Sequence, residues 1–420
     1  MEYGLIGGKL GHSYSRLIHE LVGGYSYELH ALPTESEAHS FLRERAFKAI
    51  NVTIPYKRLV IEYCDEVEPR AAAIGAVNTV VNKRGKLYGF NTDYPGFAYL
   101  LHRHNIQLVG KTVLILGTGG THDTVAAVCR GEKAGKILTA SRTARPGDEN
   151  TLRYEQAARR EDVQIIVNTT PAGMYPDNGT CLLPLDGLPG LEAVLDVVYN
   201  PFATELLLRA KDRGIPAYCG FEMLVAQAVY AAEHFLEKKY DEAVIDEVHH
   251  TLKRGISNVS LIGMPGCGKT MIGRALAQRL EKTYIDLDTE IESRLGCGIP
   301  DVFATRGEEA FRKIEREVLA EVAKENDRVI ACGGGVIKTP GNARLLHQNG
   351  PVLWVRRPVE ALAMGGRPLS TGRQTLREME TERAPLYEAC ADAAIENDAR
   401  LENAVEGAAN AFEACFDYPQ

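Results

Sequence analysis

Eight residues near the middle of the chain, Gly263 to Thr270 in the run NVSLIGMPGCGKTMIG, fit the spacing G-x-x-x-x-G-K-[ST]. The apolar run Val259–Ile262 before them reads as a buried strand, and Met271–Leu280 after them has helical spacing with no proline. Strand, glycine turn and helix in that order turn backbone N–H groups inward around a phosphate. In such a turn Gly266, Cys267, Gly268 and Met271 contribute to the cradle. Lys269 reaches the β- and γ-phosphates of a nucleoside triphosphate, and the Thr270 hydroxyl holds Mg²⁺. This part of the chain is therefore expected to be a nucleotide-binding parallel α/β sheet. The 262 residues ahead of Gly263 leave room for a second complete machine.

At 420 residues the chain exceeds one ordinary core, and two to three domains are expected. A hydrophobic fraction of 45% with 25% charged residues suits a globular α/β protein, and the net charge of -8 argues against a nucleic-acid partner. Nine scattered cysteines without C-x-x-C spacing indicate neither a zinc site nor a disulfide framework, so a reducing compartment is expected. No run of about 18 apolar residues occurs and the N-terminus lacks signal-peptide character, which predicts a cytoplasmic protein with no membrane partner.

Short β-branched runs alternate with helical patterns: Tyr3–Ile6, Ile50–Val52, Val77–Val81, Thr112–Leu116, Lys136–Ala140, Ile165–Asn168 and Val194–Val197. Alternation of this kind means βαβ units. A fresh glycine turn after Leu116 argues for two sheets rather than one, with a boundary near residues 92–110. A helical stretch from Glu222 to Leu252 leads toward the phosphate loop. The expected organisation is a first lobe at 1–95, a dinucleotide-binding lobe at 96–235 whose last helix returns to the first, a linker at 236–257 and a nucleotide-binding domain at 258–420.

In VLILGTGGTHDTVAAV the turn Gly117, Thr118, Gly119, Gly120 has the spacing G-x-G-G, which serves a structural turn or a cofactor loop. The next strand ends Ala140-Ser141-Arg142-Thr143, with a cation where an NAD enzyme places an acid. Arg142 there suits the 2′-phosphate of NADP; the alternative is a solvated surface cation.

The ordered segments GHSYS (Gly11–Ser15), NVTIPYK (Asn51–Lys57), GAVNT (Gly75–Thr79) and GFNTDYPG (Gly89–Gly96) resemble shikimate dehydrogenase, and NTTPAGMYP, DVVYNPFATELL and GFEMLVAQA carry the resemblance to residue 235. It implies a two-lobed α/β enzyme that reduces 3-dehydroshikimate to shikimate with NADPH. Lys57 is then the acid/base at the reacting oxygen and Asp93 its paired carboxylate. Ser13, Ser15, Asn51, Thr53, Asn78, Tyr199 and Gln227 hold substrate, and Gly220 lies at the cofactor. Plain structural readings stand beside these: an ion pair at a hinge for Lys57 and Asp93, turn residues for Asn51 and Asn78. The chain departs from the family pattern at Lys9 and Arg16, where prolines are usual, and at His122-Asp123, where small residues or arginine are frequent. An acid at 123 is electrostatically unfavourable near a pyrophosphate.

Beyond the phosphate loop, TYIDLDTEIESRLG, FRKIE, VIACGGGVI, GGRPLS and ERAPLYEACAD resemble shikimate kinase from Val259 to the C-terminus. The resemblance implies MgATP-dependent phosphorylation of shikimate. Asp286 would hold Mg²⁺ through water and Asp288 would accept the substrate hydroxyl. Arg312, Arg383 and the backbone of Gly333, Gly334 and Gly335 would grip its carboxylate, and Arg367 in a lid would neutralise the transferring phosphoryl group. A helix-cap role for Asp288, a mobile turn for the glycines and an exposed cation for Arg367 are the plain alternatives. The lid stretch 359–373 is short and lacks an arginine that relatives often carry before R-P-L. Expected ligands are thus small molecules, and the oligomeric state is not encoded. Two rival readings are a quinate- and NAD-preferring first half, or a degraded regulatory module joined to a working kinase.

Overall fold

A computed structural model describes residues 1–11, 13–144, 150–363, 373–398 and 400–416. The chain divides into two compact units, Met1–Leu252 and Lys253–Gln420. Among the described residues the first unit holds two sheets and the second holds one.

The first sheet comprises β1 (Tyr3–Gly7), β2 (Glu28–Ala31), β3 (Ala49–Val52), β4 (Glu66–Val67), β5 (Thr79–Lys83) and β6 (Lys86–Phe90), in the order β2-β1-β3-β5-β6-β4. It is mixed: β1 runs parallel to β2 and β3, whereas β3/β5 and β5/β6 are antiparallel. The β5–β6 hairpin closes on Arg84 and Gly85, both at positive φ, a two-residue turn whose twist matches the strands. The second sheet comprises β7 (Thr112–Leu116), β8 (Lys136–Ala140), β9 (Thr151–Leu152), β10 (Ile165–Asn168), β11 (Ala193–Asp196) and β12 (Ala217–Cys219). Its order is β12-β11-β10-β7-β8-β9 and every pairing is parallel. The order reverses at β7, so the crevice for a ligand opens where the Gly117 turn leaves that strand.

Helices Asp93–Arg103 and Phe221–Leu236 pack against each other. The first buries Phe97, Leu100 and Leu101 on the second sheet, and the other buries Ala231 and Phe235 against Leu5, Ala49 and Val81 of the first. Gly96 makes this possible: a Cβ there would lie 2.9 Å from Gln227 Cβ and from Met223 O, so any larger residue would push the helices apart.

The third sheet comprises β13 (Val259–Ile262), β14 (Thr283–Asp286), β15 (Arg328–Ala331), β16 (Val352–Arg356) and β17 (Ala393–Glu396), all parallel in the order β14-β15-β13-β16-β17. The expected helix from Glu222 to Leu252 is in fact two, Phe221–Leu236 and Ala243–Ile256. Glu237 turns to φ 51 and ends the first. Most of the stretch expected as a linker, 236–257, is therefore helix, and Ile245, Val248 and His249 are buried.

Candidate active sites

In the first unit, the turn after β3 carries Lys57, whose carbonyl accepts from the N–H of Val77 at 2.8 Å, and Asp93 opens helix Asp93–Arg103. The two side chains meet with Lys57 Nζ 2.6 Å from Asp93 Oδ2, at 14% and 10% exposure. Beside them lies a buried polar network. Asn51 sits within β3 rather than in a turn; its Oδ1 accepts from Tyr27 OH at 2.7 Å, and its Nδ2 donates to Asn78 O (3.2 Å) and Thr79 Oγ1 (3.1 Å). Asn78 Oδ1 accepts from the Thr92 N–H at 2.7 Å and its Nδ2 donates to Gln227 Oε1 at 3.4 Å. With both N–H bonds engaged, Asn51 offers a ligand only acceptor capacity, whereas Asn78 retains one donor. Ser15 begins helix Ser15–Gly23 and its N–H donates to Ser13 Oγ at 3.3 Å. Tyr14 between them packs on Tyr199 at a centroid distance of 5.9 Å. Thr53 follows β3, its N–H bonded to Ile6 O at 2.9 Å.

The Gly117 turn joins β7 to helix His122–Gly131. Gly117 has φ 93, and a Cβ there would collide with Thr170 Cγ2; Thr118, Gly119 and Gly120 are exposed. Ser141 and Thr143 share a 3.0 Å hydrogen bond around exposed Arg142 at the end of β8. Gly220 caps helix Phe221–Leu236 and abuts Val197 O so closely that a Cβ would clash. Asp123 pairs with Arg58 at 2.6 Å and with His122 at 3.0 Å. Burial opposes its ionisation, but the hydrogen bonds from His122 and Arg58 prevail and hold its carboxyl below the usual value.

In the second unit a cavity of about 520 Å³ is lined by the phosphate loop together with Asp286, Asp288, Arg312, Gly333 to Gly335 and Arg383. Helix Lys269–Leu280 starts at Gly268, whose φ of 103 requires glycine. Lys269 is buried and donates to the carbonyls of Gly263 (2.8 Å) and Met264 (2.9 Å), and Asn397 Nδ2 donates to Cys267 O at 2.7 Å. Thr270 and Met271 are exposed at the mouth. Thr270 Oγ1 lies 3.2 Å from Asp286 Oδ2. Asp286, not Asp288, caps helix Leu287–Leu295, accepting from the Thr289 N–H; Asp288 stands in the first turn. The two carboxylates therefore straddle a strand end and a helix start. Arg383 Nη1 and Tyr387 OH both donate to Gly334 O, at 3.0 and 2.5 Å. Arg367 lies outside the described residues.

Glu315 escaped the sequence reading. It lies one helical turn after Arg312, contacts it at 3.0 Å, and is 1% exposed. Burial pushes its carboxyl up to about 7, against the pull of Arg312 and with the Asp288 charge adding to the rise. A Cβ on Gly333 would meet both Asp288 Oδ1 and Glu315 Oε1, so this glycine allows the loop to lie directly on the two carboxylates. The FRKIE run contained the i, i+3 spacing; what it lacked was any sign that the helix turns that face to the cavity.

Residues 5–80 match the shikimate dehydrogenase substrate binding domain and residues 265–413 match shikimate kinase. A shikimate dehydrogenase (NADP(+)) of Clostridium perfringens is 35% identical over 265 residues, which is 60% of this chain and 98% of that protein. The chain belongs to the shikimate dehydrogenase family and carries a shikimate kinase domain. Among solved structures, a chorismate mutase/shikimate 5-dehydrogenase fusion protein from Clostridium acetobutylicum superposes with a TM-score of 0.57 at 33% identity, covering 60% of this chain and 96% of that one. Shikimate 5-dehydrogenase from Thermus thermophilus, in complex with NADP(H) and shikimate, gives 0.54 at 31% identity, covering 60% and 99%. Both dehydrogenase lobes are thus present, and the dehydrogenase family's two-lobed α/β architecture precedes the kinase domain's parallel sheet. Among the described residues no helix is long and apolar enough to cross a membrane, and no group of three or more His, Cys, Asp or Glu gathers as a metal site. None of the nine cysteines forms a disulfide among the described residues.

Proposed function

We propose that the chain carries out two consecutive reactions: NADPH-dependent reduction of 3-dehydroshikimate to shikimate, then ATP-dependent phosphorylation of the hydroxyl so formed. The observation that carries this reading is that a dehydrogenase of full family length, with its Lys57–Asp93 pair in contact, shares one chain with a kinase domain whose phosphate loop opens on a cavity lined by arginines. NADPH supplies the hydride. Lys57 delivers the proton at the ketone oxygen, and Asp93 holds its ammonium oriented. Ser13, Ser15, Asn51, Thr53, Asn78, Tyr199 and Gln227 hold the polyol and carboxylate, with Asn51 accepting and Asn78 donating. Gly117 to Gly120 lie beneath the pyrophosphate, and Ser141, Arg142 and Thr143 hold the 2′-phosphate. A cation at the end of β8 favours NADP over NAD, and with it 3-dehydroshikimate over the quinate reading.

In the kinase domain Asp288 accepts the shikimate hydroxyl, while Arg312, Arg383 and the Gly333–Gly335 backbone orient its carboxylate. Lys269 and Thr270 hold the β- and γ-phosphates, with Arg367 neutralising charge from the lid. A hydroxyl and a carboxylate 3.2 Å apart, Thr270 and Asp286, fit Mg²⁺, which takes few protein ligands and fills its octahedron with phosphate oxygens and water. Purified chain given 3-dehydroshikimate and NADPH should oxidise the cofactor and accumulate shikimate; added ATP should convert it to shikimate 3-phosphate. Absence of either product removes the corresponding half of the reading.

A further inference from the structure

The cavity of the kinase domain has two poles. Arg312 and Arg383 belong to the acceptor pole: Arg383 bonds Gly334 O, and a Cβ on Gly335 would strike the Arg312 guanidinium. A further arginine that the lining includes, Arg357, belongs to the other pole. It follows β16, whose register sets Trp354 opposite Ile262 at the end of β13. From there the two chains leave the sheet together. A Cβ on Gly263 would collide with Val355 O, and the Ala363 N–H donates to Gly266 O at 3.3 Å, so the segment 355–363 runs along the outer side of the phosphate loop.

Arg356 and Arg357 are adjacent yet differently employed. Arg356 is exposed, pairs with Glu396 at 3.2 Å and covers the Trp354 ring at 5.0 Å. Arg357 has a buried Nε without a hydrogen-bond partner among the described residues. A guanidinium has five donors in a fixed fork, and burying one unpaired is costly unless an anion completes it. Of the four acids that line the cavity, Glu315 is held by Arg312, Asp286 caps helix Leu287–Leu295 and Glu292 accepts from the Ile299 N–H.

We propose that Arg357 is a second phosphate-contacting cation of the kinase domain, gripping the β- and γ-phosphates of the nucleotide from the β16 side while Lys269 grips them from within the loop. The inference rests on the kinase reading above. Its test is steady-state kinetics and equilibrium binding of ATP and AMP to the full chain, comparing wild type with Arg357→Ala, Arg357→Lys and Lys269→Ala. Arg357→Ala should raise the KM and Kd for ATP at least about tenfold, as expected for a lost charge-assisted contact. The KM for shikimate should stay within about twofold, the AMP affinity should barely change, and Arg357→Lys should recover part of the loss. Unchanged ATP affinity in Arg357→Ala, or a loss confined to shikimate, overturns the proposal; the unchanged shikimate KM also excludes misfolding as the cause. No ATP-dependent phosphorylation of shikimate by the wild-type chain would instead overturn the kinase reading itself, and the two failures are thereby distinguishable.

Discussion

Asp123 stands in the first turn of the helix that follows the dinucleotide glycines, where a carboxylate repels phosphate. The structure supplies its compensation in Arg58, next to Lys57 in sequence, and in His122. Arg58 is largely exposed, so the pair contributes little to stability, on the order of 0–1 kcal/mol, but it neutralises a charge at the cofactor turn. Asp123→Asn should therefore lower the KM for NADPH by roughly two- to fivefold, in keeping with about 0.3–1 kcal/mol for a charge at a helix N-terminus. Arg58→Ala should raise it by a similar factor; a higher KM in Asp123→Asn would refute this. Arg142→Ala should weaken NADPH far more than NADH, because only NADPH carries the 2′-phosphate, and equal losses would point to a structural role. Lys57→Ala should leave phosphorylation intact and lower the dehydrogenase kcat by at least ~10², as for loss of an acid/base group. Near-normal turnover would remove Lys57 from the proton transfer. Lys57, Asp123 and Arg142 could be singled out from sequence because each sits in a short contiguous motif, whereas Arg58, as the partner of Asp123, could not. Glu315 and Arg357 were not, since their meaning depends on which way a helix face or a strand end points.

At the scale of elements, β7, β8, β10 and β13 agree end for end with the expected runs, and all but β8 are buried almost throughout. Edge strands β2, β4 and β9 went unread, two of them only two residues long and the third exposed throughout, so no hydrophobic pattern marks them. The end of β11 carries a buried device that the DVVYNP motif did not announce. Asp196 is 1% exposed and accepts from Thr204 Oγ1 (2.7 Å), Asn168 Nδ2 (2.9 Å) and the Val198 N–H (3.0 Å), tying the end of β10 to the connection that follows β11. Burial pushes its carboxyl up to about 7 despite those donors, against an ordinary value of 3.8. The folded state then holds a proton that the unfolded chain has released. The contribution is fully present below the unfolded value and is lost as pH rises through about 7. Asp196→Asn keeps the shape and removes the ionisation, so it should flatten the pH dependence of stability between about 4 and 7 and raise the relative stability at pH 8. Urea unfolding of the dehydrogenase unit at pH 5 and pH 8 measures this. An unchanged slope with pH in the variant would show that another group governs it.

For the whole molecule the informative segment is helix Ala243–Ile256, which the sequence reads as helical as far as Leu252 yet places within the linker 236–257. Its charges are engaged on two different bodies. Asp246 Oδ1 accepts from Tyr99 OH at 2.7 Å and pairs with Arg103 at 3.0 Å, Ile245, Val248 and His249 are buried, and the His249 ring lies 5.5 Å from that of Phe221. Farther along the helix, the carbonyls of Arg254 and Gly255 accept from Lys282 Nζ at 3.1 and 2.6 Å, and Arg254 pairs with Glu413 at 2.6 Å, all within the second unit. The division at Leu252 and Lys253 thus follows which side each residue serves. Fragments 1–252 and 253–420 should each fold and keep one activity, since each carries its own sheet and core. A fragment ending at residue 236 should reduce 3-dehydroshikimate but melt at a lower temperature than 1–252. Burying Ile245 and Val248 is worth about 1.5–3 kcal/mol each, and about 1 kcal/mol shifts Tm by roughly 2–4 °C in a unit of this size, so the deficit should be on the order of 10 °C. Differential scanning calorimetry of the two fragments decides the matter: equal melting temperatures would mean that residues 243–252 are a tether after all and that the dehydrogenase is complete at Leu236.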